Sequence, residues 1–318
     1  MTGHTGEIIS LIVAVSWTLT ALSFEYASKK IGALSLNIIR LLMAMVMLGI
    51  AIFAVTGSPV PVGAGGKAWM WLALSGLVGY VFGDFCLLNS YVIIGSRFGQ
   101  LFMTLAPPSA ALAGLLMLGQ KMSLTAIAGM VTCLLGIAIS VTGRADSGSS
   151  DGHRHSRLRI SLPLKGVLFG IGAGVGQGVG LVLSKIGMNH YMEAVPPRTE
   201  LDSIVIPFAS TQVRAIAGLA GFLVIMLIRK QGKSLLHAFR DGKSMAAAAT
   251  GTFFGPFAGV SLSLLAVNYT SAGIASTIMA LTPILIILPS KLIYKEKVTA
   301  KQVIGAVISV AGASLFFI

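Results

Sequence analysis

Acidic residues are scarce in this 318-residue chain: 10 Asp and Glu stand against 23 Lys and Arg, and charge of either sign makes up only 10% of it. Cysteine is scarcer still. Cys86 and Cys133 both fall inside apolar runs, so neither a disulfide framework nor a CxxC metal pair can be built from them. The five histidines (His4, His153, His155, His190 and His237) fall in polar breaks or near Met1, and no Asp-rich pair occurs. A zinc set, paired carboxylates or a Ser-His constellation on an intramembrane helix therefore lacks its residues, and no enzyme, metal or cofactor is expected. His153 and His155 flank Arg154, but no carboxylate or cysteine cluster completes a coordination shell. The glycine run at 170, 172, 174, 176, 178 and 180 has no preceding strand and no Lys-Ser/Thr at phosphate-loop spacing. It reads instead as two small-residue rows for close helix packing.

What the chain has is apolar length. Hydrophobic residues make up 55%, and mean hydropathy is +0.89. Runs of the roughly 17–25 residues that cross a bilayer cover 8–27, 36–56, 69–90, 98–118, 124–142, 164–184, 204–228, 245–266, 274–294 and 302–318. In lipid each amide must bond within its own segment, so ten such runs predict an all-α membrane protein. The first run is longer than a leader's apolar core and follows the uncharged Met1-Thr2-Gly3, so it is expected to be a retained helix. The net charge of +13 does not point to nucleic acid, because the basic residues are spread over breaks. Seventeen of them follow odd-numbered helices and four follow even-numbered ones. Positive loops face the cytoplasm, so both termini are predicted outside, in a bacterial-type inner (plasma) membrane.

The second half repeats the first. Leu105-Ala106-Pro107, Gln120-Lys121, Gly129 and Gly136 recur as Leu281-Thr282-Pro283, Glu296-Lys297, Gly305 and Gly312. Ile39-Arg40 and Val213-Arg214 match likewise. The halves cover 1–143 and 164–318, joined by a Gly-, Ser- and charge-rich linker over 144–163. Five helices per half is odd, so a tandem copy enters the membrane upside down; two inverted five-helix repeats around a central cavity are predicted. A second polar stretch, Asn189 to Ser203 with Pro196-Pro197, is a candidate cap over one mouth.

These features resemble the drug/metabolite transporter superfamily, specifically ten-helix proteins with two EamA-type domains. The resemblance rests on Pro107-Pro108 and Pro283 in the fourth helix of each half, on the breaks Leu118-Gly119-Gln120-Lys121 and Tyr294-Lys295-Glu296-Lys297, and on the Gly-spaced helices from Gly129 and Gly305. The Gly-Glu usual at the break survives only as Gly119 in one copy and Glu296 in the other. Such proteins are commonly drawn with cytoplasmic termini, against the charge count here. The resemblance implies a secondary transporter, or permease, working by alternating access, with efflux of an amino acid or related metabolite as the modal case. A lipid or lipid-linked sugar flippase of the same fold is the alternative it allows.

Polar groups inside membrane helices mark candidate sites. Asp84, with Tyr80 one turn away, is a coupling or substrate carboxylate, or the partner of an arginine. Arg40 is close enough to a helix end to snorkel, whereas Arg214 is deeper and better suited to an anionic substrate group. Glu25 shares a face with Trp17 and is a second coupling candidate. Aligning Trp17 with Gln177 sets Glu25 opposite Lys185; aligning Lys30-Ile31-Gly32 with Lys185-Ile186-Gly187 does not. Gln100 and Thr104 share a face one turn before Pro107, and Ser276 and Thr277 occupy the region of their copies. The expected substrate set is Trp17, Tyr80, Asp84, Gln100, Thr104, Gln177, Arg214, Ser276 and Thr277, with Pro107 and Pro283 bending their helices as gates. The expected partners are a small molecule, the bilayer and a coupling proton, with the protein a monomer.

Overall fold

The computed structural model describes residues 4–61, 63–119, 123–144, 158–160, 162–195, 200–269, 278–295 and 298–315. α1 (Thr5–Ile31) and α2 (Ala33–Thr56) are separated by Gly32 alone. Its φ of 82° is open to glycine without strain, so a break expected to take several residues shrinks to one. α3 (Gly65–Gly76) continues through a π-helical stretch, Leu77–Asp84, into α4 (Phe85–Met103). Gly95, also at φ 82°, interrupts α4. A Cβ on Gly99 would lie 2.9 Å from Ser90 Oγ, whereas nine residues of straight helix span roughly 13.5 Å. The chain therefore folds back at Gly95, and Gly65–Met103 is a helical hairpin.

α5 (Ala106–Leu118) and α6 (Leu124–Val141) complete the first half. β1 (Thr142–Arg144) then pairs antiparallel with β2 (Leu158–Ile160), Thr142 opposite Ile160 and Arg144 opposite Leu158. The stretch expected to be a loose linker is thus closed at its base; His153, Arg154 and His155 lie outside the described residues. α7 (Leu164–Ala194) runs well past its expected end at 184 and takes in Asn189 to Ala194 of the stretch read as a polar cap. Positions 196–199 of that stretch lie outside the described residues, and its end, from Glu200 to Ser203, opens the next helix.

α8 (Glu200–Ile228), the short α9 (Gly232–Ala238) and α10 (Gly242–Thr252) follow. A second π-helical stretch, Phe253–Phe257, leads into α11 (Ala258–Tyr269). α12 (Thr282–Leu285), α13 (Ile287–Ile293) and α14 (Ala300–Ser314) close the chain.

Among the described residues, six helical stretches are long and apolar enough to cross a bilayer: Thr5–Ile31, Ala33–Thr56, Gly65–Met103, Leu124–Val141, Leu164–Ala194 and Val205–Ile228. Ala106–Leu118, Thr282–Ile293 and Ala300–Ser314 are apolar but shorter. Outward-facing residues such as Leu116 (83% exposed) and Leu124 (85%) would be costly in water and suit lipid.

Small residues set the packing. α7 lies along α3, the first π stretch, α4 and α5, using both of its glycine faces. A Cβ on Gly176 would sit 2.7 Å from the Gly83 Cα, and one on Gly178 2.6 Å from the Ser109 Cβ. α1 packs against α10 and α11, and α2 against α8. α6 and α14 meet most extensively. Gly136 lies against the Gly305 carbonyl, 2.6 Å from where a Cβ would stand, and a Cβ on Gly312 would lie 2.8 Å from the Gly129 carbonyl. The contacts advance along one helix as they retreat along the other, so α6 and α14 run in opposite directions. Ser140 Oγ donates to the Gln302 carbonyl at 3.0 Å, and Ser309 Oγ to the Cys133 carbonyl at 3.3 Å.

Candidate functional site

Proline cannot donate a backbone hydrogen bond, so a helix carrying one in its interior loses a rung. Here the chain meets that loss by breaking the helix. Thr104 and Leu105 donate back three residues, to Leu101 and Phe102, at 3.1 and 3.0 Å, and a new helix starts at Ala106 with Pro107 in its first turn. Leu281 donates to Ile278 at 3.1 Å, and a new helix starts at Thr282 with Pro283 in its first turn. The prolines thus open new helical segments instead of bending continuous ones, because the first turn is where a missing N–H costs least.

Between the two broken helices lies a cavity of about 280 Å3. α4, the break after it and α5 contribute Gln100, Met103, Thr104, Ala106 and Pro107; the opposite wall is Met279, Ala280, Thr282 and Pro283. Trp17 of α1 and Ala313 of α14 close the sides. Trp17 leans on α11 where Gly259 leaves room: a Cβ there would lie 2.6 Å from the indole Nε1. Gln100 Nε2 donates to the hydroxyl of fully buried Tyr91 at 2.6 Å, which fixes the amide at the cavity wall. The carbonyls around the breaks are partly taken up. Cys133 Sγ donates to that of Thr104 at 3.0 Å, and Thr282 Oγ1 to that of Met279 at 3.0 Å. The Thr104 hydroxyl donates to Leu101 at 2.7 Å, the harmless self-bond open to threonine in a helix.

Of the residues singled out by sequence, Trp17, Gln100, Thr104, Pro107 and Pro283 meet at this cavity, while Ser276 and Thr277 lie outside the described residues. Tyr80, Asp84, Gln177 and Arg214 gather elsewhere, where the first π stretch faces α2, α7 and α8. Asp84 is ion-paired with Arg40 and accepts a hydrogen bond from Gln177. Gln177 Nε2 also reaches the Gly79 carbonyl at 3.1 Å, and Arg40 Nε donates to Asn37 Oδ1 at 2.9 Å. The Tyr80 ring lies 5.7 Å from the Arg40 guanidinium and 4.7 Å from that of Arg214. Arg40 is 7% exposed, so it does not snorkel; its charge is met in place by a carboxylate. Arg214 carries a buried Nε without a hydrogen-bond partner.

Glu25 has a third setting. Its fully buried carboxylate pairs with Lys29 and accepts from the Ser96 amide at 2.7 Å. Ser96 follows the break at Gly95, so Glu25 satisfies one of the amides a helix start leaves bare. Lys29 also lies 5.0 Å from the Tyr294 ring, whose hydroxyl donates to the Leu22 carbonyl at 2.7 Å. Gly255 packs on Thr20, 2.8 Å from the place of a Cβ, as Gly83 packs on Gly176.

Sequence reasoning passed over Met103, Met279 and Tyr91, which carry no local signal. Thr282 was legible in Leu281-Thr282-Pro283, and Asn37 in its spacing from Arg40. Among the described residues no group of three or more His, Cys, Asp or Glu could hold a metal ion.

A model of the EamA-like transporter family matches residues 4–142 and 164–318. One similar solved structure, described only as the crystal structure of a protein, shares 17% identity at a TM-score of 0.56, with 98% of this chain and 96% of that one covered. At that identity the likeness concerns the fold alone. No curated protein matches.

Proposed function

This chain belongs to the EamA-like transporter family, multi-pass membrane proteins that move small molecules, and from that premise we propose that it is a secondary transporter working by alternating access. The observation that carries the proposal is the cavity between two helices broken at matching prolines, Pro107 and Pro283. Segments joined by such breaks can tilt separately, exposing the cavity to one face of the membrane at a time. Trp17, Gln100 and Thr104 are its substrate contacts on this reading, with Ser276 and Thr277 on the stretch leading into Met279.

The reciprocal meeting of Gly129 with Gly312 and of Gly136 with Gly305 supports two inverted five-helix units, 1–143 and 164–318, joined over 144–163. The hairpin at Gly95 supports the count of ten spans. With the basic breaks inside, the termini lie outside, in a bacterial-type inner membrane. The Glu25–Ser96 and Tyr294–Leu22 contacts then sit toward the cytoplasm and close the cavity on that side. Ten spans enclose a path without a second copy, so the protein acts as a monomer.

Driving transport uphill requires coupling, since substrate binding alone shifts populations only by its preference between states. Asp84, balanced by Arg40 beside Arg214 and Gln177, is the coupling carboxylate, and Glu25 is the second. Purified protein in proteoliposomes tests this across an amino-acid and metabolite panel, with export as the direction the family resemblance implies. Flux above empty vesicles, with pH-driven accumulation lost and exchange kept in Asp84→Asn, is expected. No flux for any compound would sink the reading.

A further inference from the structure

We propose that the molecule held in the cavity is uncharged: a compact, mostly apolar compound with one or two hydrogen-bonding groups, and not a zwitterion or an ion. The inference rests on the transporter reading and narrows its substrate. Among the described residues no Asp, Glu, Lys, Arg or His lines the cavity. The sequence carries no charge anywhere between Val260 and Lys291, so the stretch leading into Met279 supplies none either.

Neither Arg97 nor Arg214 lines the cavity, and among the described residues the two carboxylates buried in the bundle are engaged elsewhere. Asp84 is taken by Arg40 and Gln177, and Glu25 by Lys29 and the Ser96 amide. A free amino acid would bring an ammonium and a carboxylate into this space with no countercharge for either. Burial of unpaired charge is the contact that low-dielectric surroundings penalise most.

What the walls offer is a different set. The indole of Trp17, the two proline rings and the thioethers of Met103 and Met279 give broad, polarisable apolar faces. The Gln100 amide, fixed by Tyr91, gives a neutral hydrogen-bonding group. Pro107 cannot donate to the Met103 carbonyl, so that oxygen lacks its usual helical partner and suits a hydroxyl or N–H. The volume, about 280 Å3, lies just under the 300–1,000 Å3 of ordinary ligand pockets and limits the guest to a small one.

The test compares molecules that share a side chain and differ by the charged α-amino-carboxyl group: 2-phenylethanol with phenylalanine, and 3-methylbutanol with leucine. Neutral alcohols leak through bilayers, so binding to the purified full chain, by calorimetry and thermal shift, is the readout. At least one alcohol is expected to bind about tenfold or more tighter than its amino acid, and to lose that binding in Trp17→Ala. Gln100→Ala serves as a second cavity variant should Trp17→Ala fail to fold. Equal or tighter binding of the amino acids would overturn the inference, as would alcohol binding unchanged in the cavity variants, or no alcohol binding at all. Flux of a zwitterion in proteoliposomes alongside the first of these results would leave the transporter reading standing and remove only this one.

Discussion

The residue-scale question is what a carboxylate and two guanidiniums do deep in an apolar bundle. Asp84 and Arg40 are both at least nine-tenths buried, and each answers the other's charge. Removing one member of a buried pair typically costs about 3–5 kcal/mol, whereas replacing both with apolar residues of similar volume is often nearly neutral. Arg40→Met should therefore lower the thermal midpoint sharply, and Arg40→Met with Asp84→Leu should recover most of the loss. A double variant no more stable than the worse single one would mean that packing, not charge balance, sets the effect. The same double variant should have no pH-driven transport, which separates stability from coupling. Sequence made Asp84 conspicuous, and an arginine partner was one reading of it. It could not choose Arg40 over Arg214, because that depends on how α2 and α8 pack against the π stretch. Arg40 was read as snorkelling from its distance to a helix end, and packing overrode that.

At the scale of the element, the chain is shaped by breaks more than by helices. Long apolar runs made the helices legible; the breaks were harder. Gly95 turns a hairpin with one residue, which no run of loop-forming residues announces. The π stretch at Phe253–Phe257 contains Pro256, which withholds a rung, but Leu77–Asp84 has no proline and no sequence signal we recognise. Both prolines flagged by repetition do mark breaks, though at segment starts. Replacing Pro283, or Pro107 together with Pro108, with Ala restores the missing backbone donors and should let the flanking segments fuse. Transport is expected to fall roughly tenfold, about 1.4 kcal/mol in barrier, while stability changes by no more than about 1 kcal/mol. A vesicle flux assay paired with thermal unfolding reads both, and unchanged flux would remove the breaks from the gating role.

α10 supplies a pH-dependent element. Asp241 caps it, accepting from the Ser244 hydroxyl at 2.7 Å and amide at 3.2 Å, and these bonds hold its carboxyl below 3.8. A folded pKa lowered in this way adds stability that is present above the unfolded value and lost as pH falls through the folded one. Asp241→Ala should lower the thermal midpoint at neutral pH, and the gap to the parent protein should close as the pH drops well below 4. A gap that persists in acid would trace the loss to something other than the ionised cap.

For the whole molecule, the decisive surface is where α6 and α14 cross. Duplication of Gly129 and Gly136 as Gly305 and Gly312 was readable in the sequence, but not that each copy would pack on the other in reversed order. At this crossing a Cβ on Gly136 would meet the Ser309 amide and the Gly305 carbonyl, and one on Gly305 the Ser140 amide and the Gly136 carbonyl, each beside the hydroxyl of that same serine. Overpacking of this kind costs about 1–3 kcal/mol, and backbone has little room to yield. Gly136→Ala and Gly305→Ala should therefore destabilise by similar amounts, whereas Gly232→Ala, with nothing within 4 Å of the new methyl, should be near neutral. Once one methyl has pushed the helices apart, the second should meet less resistance, so the double variant should lose less than the two single losses added. Thermal unfolding of the four variants decides it. Fully additive losses would mean that the two sites strain separate surfaces, and that the halves do not close on each other through one shared crossing.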